Sequence, residues 1–116
     1  MIIIDLNDLK AINDKFGHSV GDQMIQKTAQ ILKENVRSND LVARLGGDEF
    51  GILNIEMTLE NTQNFANRLL KSLQNAGINA AVGVAAREPS KNLRMAVIEA
   101  DEKMYRHKVK LKSSFD

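Results

Sequence analysis

Apolar residues fall along this chain in two rhythms, and the breaks between them outline the elements. Ile2 to Leu6 is a short apolar run that meets an aspartate near its end, the mark of a buried strand. From Asn7 to Asp22 polar and apolar residues alternate, punctuated by Gly17 and Gly21, which adds no element to the order. Ser19 then suits a helix cap, with Asp22 in the first turn, and Val20, Met24, Ile25, Ala29, Leu32 and Val36 recur at helical spacing. Leu41 to Leu45 and Phe50 to Ile55 read as two strands of a hairpin. Thr58 suits the cap of a helix whose face is Phe65, Ala66, Leu69, Leu70 and Leu73, and Gly77 suits its stop. Ile78 to Ala86 is a further strand. After Pro89-Ser90 a last helix carries Leu93, Ala96, Val97, Ala100 and Met104. The order β, α, β, β, α, β, α predicts an α+β fold, a ferredoxin-like or split βαβ sheet with helices mainly on one face.

Composition changes this picture only by exclusion. The chain has 116 residues, enough for one domain with a core, and 43% are hydrophobic, which argues against disorder. Sixteen basic and fifteen acidic residues leave a net charge of +1, so nothing drives the chain toward nucleic acid or a membrane surface. No cysteine is present, which excludes disulfides, thiolate zinc sites and cysteine nucleophiles and fits a reducing compartment. No apolar run approaches a membrane span, and the expectation is a soluble cytosolic domain. The chain opens directly on "MIII", a core strand without a lead-in, which suggests a domain cut from a longer protein or a Met-initiated fragment.

The chemistry concentrates in "VARLGGDEFGILNI", where a buried strand pattern is broken by two glycines and two acids. In the predicted sheet Asp5, at the end of the first strand, lies beside the Gly46–Glu49 turn. Three carboxylates (Asp5, Asp48, Glu49) at one sheet edge repel one another unless a cation neutralises them. Oxygen ligands with no histidine or cysteine nearby favour magnesium, and magnesium held by few carboxylates serves phosphate-bearing substrates. Glycines at the tip let a ligand approach the backbone closely. The hairpin tip reads as a metal-phosphate site.

These residues resemble the GGDEF, or diguanylate cyclase, family. "GGDEF" at Gly46 to Phe50 stands in an ordered series with "DLNDLKAIND", "FGHSVGD", "RSND", "ARLGGDEF", "AVGVA" and "ADEKMY", spread over nearly the whole chain. The resemblance implies a fold related to nucleotide cyclase and polymerase palm domains. It implies a dimer that joins two GTP into cyclic di-GMP, with magnesium, or manganese in its place. Asp5, Asp48 and the Leu6 carbonyl would ligate metal, and Asp48 and Glu49 would stand at the reacting centre, Glu49 as a further ligand or proton acceptor. Backbone at Asp8, Leu9 and Lys10 and at Gly46 and Gly47 would cradle phosphate, and Lys108 and Lys112 would bind it. Asn13 and Asp22 would read guanine, a carboxylate being able to accept its N1–H and N2–H₂ donors. Arg37 and Asp40 match the family's RxxD inhibitory site for cyclic di-GMP. The resemblance also implies an attached sensory or regulatory domain and a cytoplasmic place, or the cytoplasmic part of a membrane-bound sensor.

The chain departs from the family pattern in places. It lacks the usual N-terminal helix and C-terminal strand, so residues 1–116 would be a single shortened GGDEF domain. Asn7 and Leu9 replace the family's aspartate and phenylalanine, and Lys112 in "KLK" replaces an arginine. Two functions therefore stay open: a cyclase, or a module that binds GTP or cyclic di-GMP without turnover. Plainer readings stand beside these: Arg37 and Asp40 as a surface ion pair, His107 as exposed, and Phe16, Phe50 and Tyr105 as core.

Overall fold

The computed structural model describes residues 1–54, 57–85 and 93–113. The elements run β1 (Ile2–Leu6), α1 (Leu9–Phe16), α2 (His18–Asn35), β2 (Leu41–Arg44), β3 (Glu49–Leu53), α3 (Leu59–Asn75), β4 (Ala80–Val84) and α4 (Leu93–Ser113). The strands form one sheet in the order β2-β3-β1-β4, every neighbour antiparallel. This is the expected ferredoxin-like arrangement, with β1 central. Ile55, Ala86, Pro89 and Ser90 lie outside the described residues.

Alternation along β1 builds two cores. Ile2, Ile4 and Leu6 face α2 and α3 and pack with Leu32, Phe50, Ile52, Phe65, Leu69 and Leu73. Ile3 points the other way, into a smaller cluster with Ala81, Ala85, Ala96, Ala100 and Met104. Helices therefore cover both faces, α4 alone on the second, which corrects the expectation of a mainly one-sided sheet. Small residues explain how close α4 comes. Gly51 and Gly83 flank Ile3 across the sheet, and a Cβ on Gly83 would fall onto the Ala100 carbonyl and the Met104 amide.

Caps behave unevenly. The Thr58 hydroxyl accepts from the Asn61 amide at 3.1 Å and opens α3 as expected. Gly77, at φ 79°, closes it: its amide donates to Gln74 and that of Ile78 to Leu73, the Schellman pattern. Ser19 caps nothing, because α2 starts one residue earlier, behind Gly17. The helix α1 was not expected, although Leu9, Ile12 and Phe16 carry helical spacing. Phe50 is core, whereas Phe16 and Tyr105 are 58% and 65% exposed, against expectation. Lys15 covers the Phe16 ring at 5.2 Å. His107 is half-buried, and its Nδ1 accepts the Val82 amide at 3.0 Å, covering the outer edge of β4.

Candidate active site

Strand register brings the first carboxylates together. Asp5 on β1 stands opposite Glu49 on β3, so both side chains leave the sheet on the face that α4 covers. The Leu6 amide donates to the Asp48 carbonyl at 2.8 Å and ties the turn to the end of β1. The Leu45 amide closes the hairpin on the Glu49 carbonyl at 2.8 Å. Arg44 reaches over the turn, its Nε donating to the Gly46 carbonyl at 3.0 Å and its Nη2 to the Gly47 carbonyl at 2.9 Å. A Cβ on Gly46 or Gly47 would meet no heavy atom within 4 Å. The space above the tip is open.

Charge at this edge is poorly compensated. Asp5 is 7% exposed; its Oδ2 accepts from Lys108 Nζ at 3.0 Å, while its buried Oδ1 has no partner. Burial pushes the Asp5 carboxyl above its ordinary pKa, the Asp48 charge adds to this, and Lys108 opposes it. Glu49 is raised too, by burial and then by the charges of Asp101, Asp5 and Asp48. A cleft of about 770 Å³ opens here, between Asp5 and Glu49 on one side and Asp101, Tyr105, Lys108 and Lys112 of α4 on the other. Lys108, expected at phosphate, is thus found on a carboxylate, whereas Lys112 is exposed at the cleft wall. Among the described residues no three acidic or histidine side chains converge into a metal cage. The donor set still fits a hard cation, because Asp5 keeps one buried oxygen without a partner and its carboxyl feels the Asp48 charge.

The Asp5–Lys108 contact yields a test. Asp5 has a raised folded pKa, so its ionisation weakens the fold as pH rises from its unfolded value through the folded one. Lys108 limits that loss. Lys108→Met is expected to lower unfolding free energy by about 1 kcal/mol near neutral pH, at the low end because the cleft is open to solvent. The deficit should shrink in acid, where Asp5 is protonated. Urea unfolding at several pH values measures it, and a pH-independent deficit would assign the loss to packing instead.

The other predicted residues sit along α1 and α2. Asp8 takes the left-handed conformation, φ 67°, and turns the chain from β1 into α1, where Leu9 is buried and Lys10 exposed. The first-turn amides of α1 have no intrahelical acceptors. Asn13 of α1 lies against Gly21, so close that a Cβ there would collide with its side chain, and its buried Oδ1 has no partner. Asp22, one residue on, is exposed. A buried acceptor without a partner and an exposed carboxylate thus stand on this helix pair.

Arg37 and Asp40 lie at the far end of β2 from the glycine turn, roughly 13 Å of strand away at 3.3 Å per residue. Asp40 is not a surface acid: its side chain is fully buried, and it accepts from the Arg37 amide at 3.0 Å and from Nη2 at 3.2 Å. Burial would raise its carboxyl, but the Arg37 hydrogen bonds and charge outweigh this and hold it below the ordinary range. Sequence reading missed Arg44, Asp101 and His107 as parts of this region. Arg44 and Asp101 stand inside the quoted "ARLGGDEF" and "ADEKMY", and His107 follows the core position Met104 by three residues on the same helix.

Comparison with known proteins agrees with the geometry. The family described as "Diguanylate cyclase, GGDEF domain" matches residues 1–114. The probable diguanylate cyclase DgcJ of Escherichia coli is 36% identical over 111 residues, which is 92% of this chain and 22% of that protein. Diguanylate cyclase DosC of the same species is 40% identical over 83 residues, 72% of this chain and 18% of that one. The chain thus spans about a fifth of the length of these relatives. The GGDEF domain of PA1120 (YfiN or TpbB) from Pseudomonas aeruginosa superposes with a TM-score of 0.86 at 30% identity, covering 94% of this chain and 74% of that one. The GGDEF domain of DgcB from Caulobacter crescentus, in complex with c-di-GMP, shares the fold at TM-score 0.84 and 21% identity, over 92% of this chain and 70% of that one. No helix among the described residues is long and apolar enough to cross a membrane. Since the family match leaves none of the described fold outside it, the chain belongs to the GGDEF, or diguanylate cyclase, domain family.

Proposed function

We propose that this domain condenses two GTP into cyclic di-GMP and two pyrophosphates. The observation that carries this is the buried Asp5 carboxyl, with one oxygen unpartnered and the Asp48 charge acting on it, at the strand end tied to an open glycine turn, in a chain of the cyclase family. Asp5, Asp48 and the Leu6 carbonyl would hold magnesium or manganese. Bound there, the metal neutralises phosphate charge and lowers the pKa of the attacking hydroxyl. Backbone at Asp8, Leu9 and Lys10 and at Gly46 and Gly47 receives the phosphates. Lys108 moves from Asp5 to phosphate, and Lys112 adds a second positive charge at the cleft wall. Asn13 and Asp22 hold guanine, the carboxylate accepting donors that adenine lacks.

Each 3′-hydroxyl attacks the α-phosphorus of the other GTP, a P–O bond forms, and pyrophosphate leaves with the electrons of the broken bond. Glu49, whose raised pKa suits a proton acceptor, takes the hydroxyl proton. One chain offers one such site, so the two-fold symmetric product calls for a homodimer. The longer protein that the lengths of the relatives suggest would bring two copies together through a sensory or regulatory domain. Arg37 and Asp40 would hold returning product, the guanidinium leaving its aspartate for phosphate or guanine.

The test is mass spectrometry of the products from GTP and magnesium, with the chain alone at high concentration and fused to a dimerising module. Cyclic di-GMP is expected from the fused dimer. Its absence there, with cyclic di-GMP still bound, would replace the cyclase with a receptor module.

A further inference from the structure

The four carbonyls of residues 46–49 all have donors inside the protein. Arg44 takes those of Gly46 and Gly47, the Leu6 amide takes that of Asp48, and the Leu45 and Gly46 amides take that of Glu49. The amides of Gly47 and Asp48 enter no hydrogen bond among the described residues. These facts are linked by covalent geometry. A trans peptide is planar, and its N–H points opposite to its C=O. The Gly46 carbonyl shares a plane with the Gly47 amide, and the Gly47 carbonyl shares one with the Asp48 amide. The Arg44 fork therefore grips the two peptides whose N–H groups are free, and holding their carbonyls turns those groups away from the guanidinium.

We infer that Arg44 is a positioning residue that presets the Gly47 and Asp48 amides as a phosphate cradle. Two adjacent glycines would otherwise sample many conformations, and ordering them would weaken binding. A planar fork on two successive carbonyls removes that freedom before the nucleotide arrives. Its positive charge also polarises both peptides toward stronger donation.

This inference rests on the GTP reading, and the experiment separates the two. Binding of GTP and of guanosine is measured by titration calorimetry on the parent, Arg44→Met and Arg44→Lys. Guanosine has no phosphate and does not meet the turn. Arg44→Met is expected to weaken GTP by about tenfold, the loss of one to two hydrogen bonds' worth of preorganisation, with guanosine unchanged. Arg44→Lys, which keeps donors but not the fork, should fall between. Amide signals of Gly47 and Asp48 in ¹⁵N spectra should move and broaden in Arg44→Met before any nucleotide is added. Equal loss of GTP and guanosine would mean a general structural role and overturn the inference. So would unchanged GTP binding, with the function left standing. A parent that binds neither would overturn the GTP reading first, and the cradle with it.

Discussion

Replacing Asp48 by alanine is expected to silence cyclic di-GMP synthesis while leaving the domain at least as stable as the parent. The two effects have one origin. The Asp48 charge adds to what burial does to Asp5, pushing its carboxyl further above the ordinary range. Without substrate and metal this repulsion is a burden on the fold, so its removal relieves Asp5. In the working site the same charge is what the cation needs. Loss of a group that stabilises developing charge should reduce turnover by roughly 10²-fold or more, measured as product by mass spectrometry. The urea midpoint should stay the same or rise. Product within a few-fold of the parent would remove Asp48 from the reaction. A large drop in stability would show that the carboxylate holds the hairpin together rather than serving chemistry, a trade-off opposite to the usual one between stability and function.

Gly83→Val carries the largest expected loss of stability. The added side chain has no free direction, because the backbone of α4 at Ala100 and Met104 lies where the Cβ would be. Backbone cannot rotate aside as a side chain can, so the helix must lift. Overpacking of this kind costs about 3 kcal/mol, and more when an element is displaced. Lifting α4 would also part His107 from Val82 and Lys108 from Asp5, so the damage reaches the cleft. Gly51→Ala is the control. There the atom nearest the added Cβ would be Leu45 Cδ1, at 3.0 Å, the end of a side chain that can swing away. Urea unfolding of the two variants should differ by a wide margin. If Gly83→Val unfolds with the parent, α4 does not sit this close.

The strands and the three long helices were legible because their apolar periods are long and uninterrupted. Even the meeting of Asp5 with the glycine turn followed from element order alone, since a split βαβ sheet sets β1 beside β3. Short and polar pieces were not legible. The eight residues of α1 make barely two turns, too short for their apolar spacing to stand out from a loop, and the left-handed Asp8 that starts it carries no sequence mark. Ser19 has the chemistry of a cap, but Gly17 ends α1 and begins α2 in one step, leaving Ser19 inside the helix. In the site, residue types foretold the carboxylates but not their partners. Lys108 on Asp5 and Arg44 on the glycine carbonyls depend on where α4 and β2 end in space, which no local pattern encodes. The plainer reading of Arg37 and Asp40 as a surface pair, beside that of an inhibitory site, misses the burial of the aspartate, which arises only when the chain turns into β2.

The alternation along β1 has a further result for how safely this chemistry is carried. Ile4 and Leu6, the neighbours of Asp5 on its own strand, belong to the larger core. A slip of one position in strand pairing would thrust a carboxylate into that core and strand two large apolar groups in the cleft. Such a mistake forfeits apolar burial of about 1.5–3 kcal/mol per large side chain, besides burying a charge. The oily residues on one side of the strand thereby proofread the placement of the acid on the other, and a chain that folds at all has its carboxylate facing the right way.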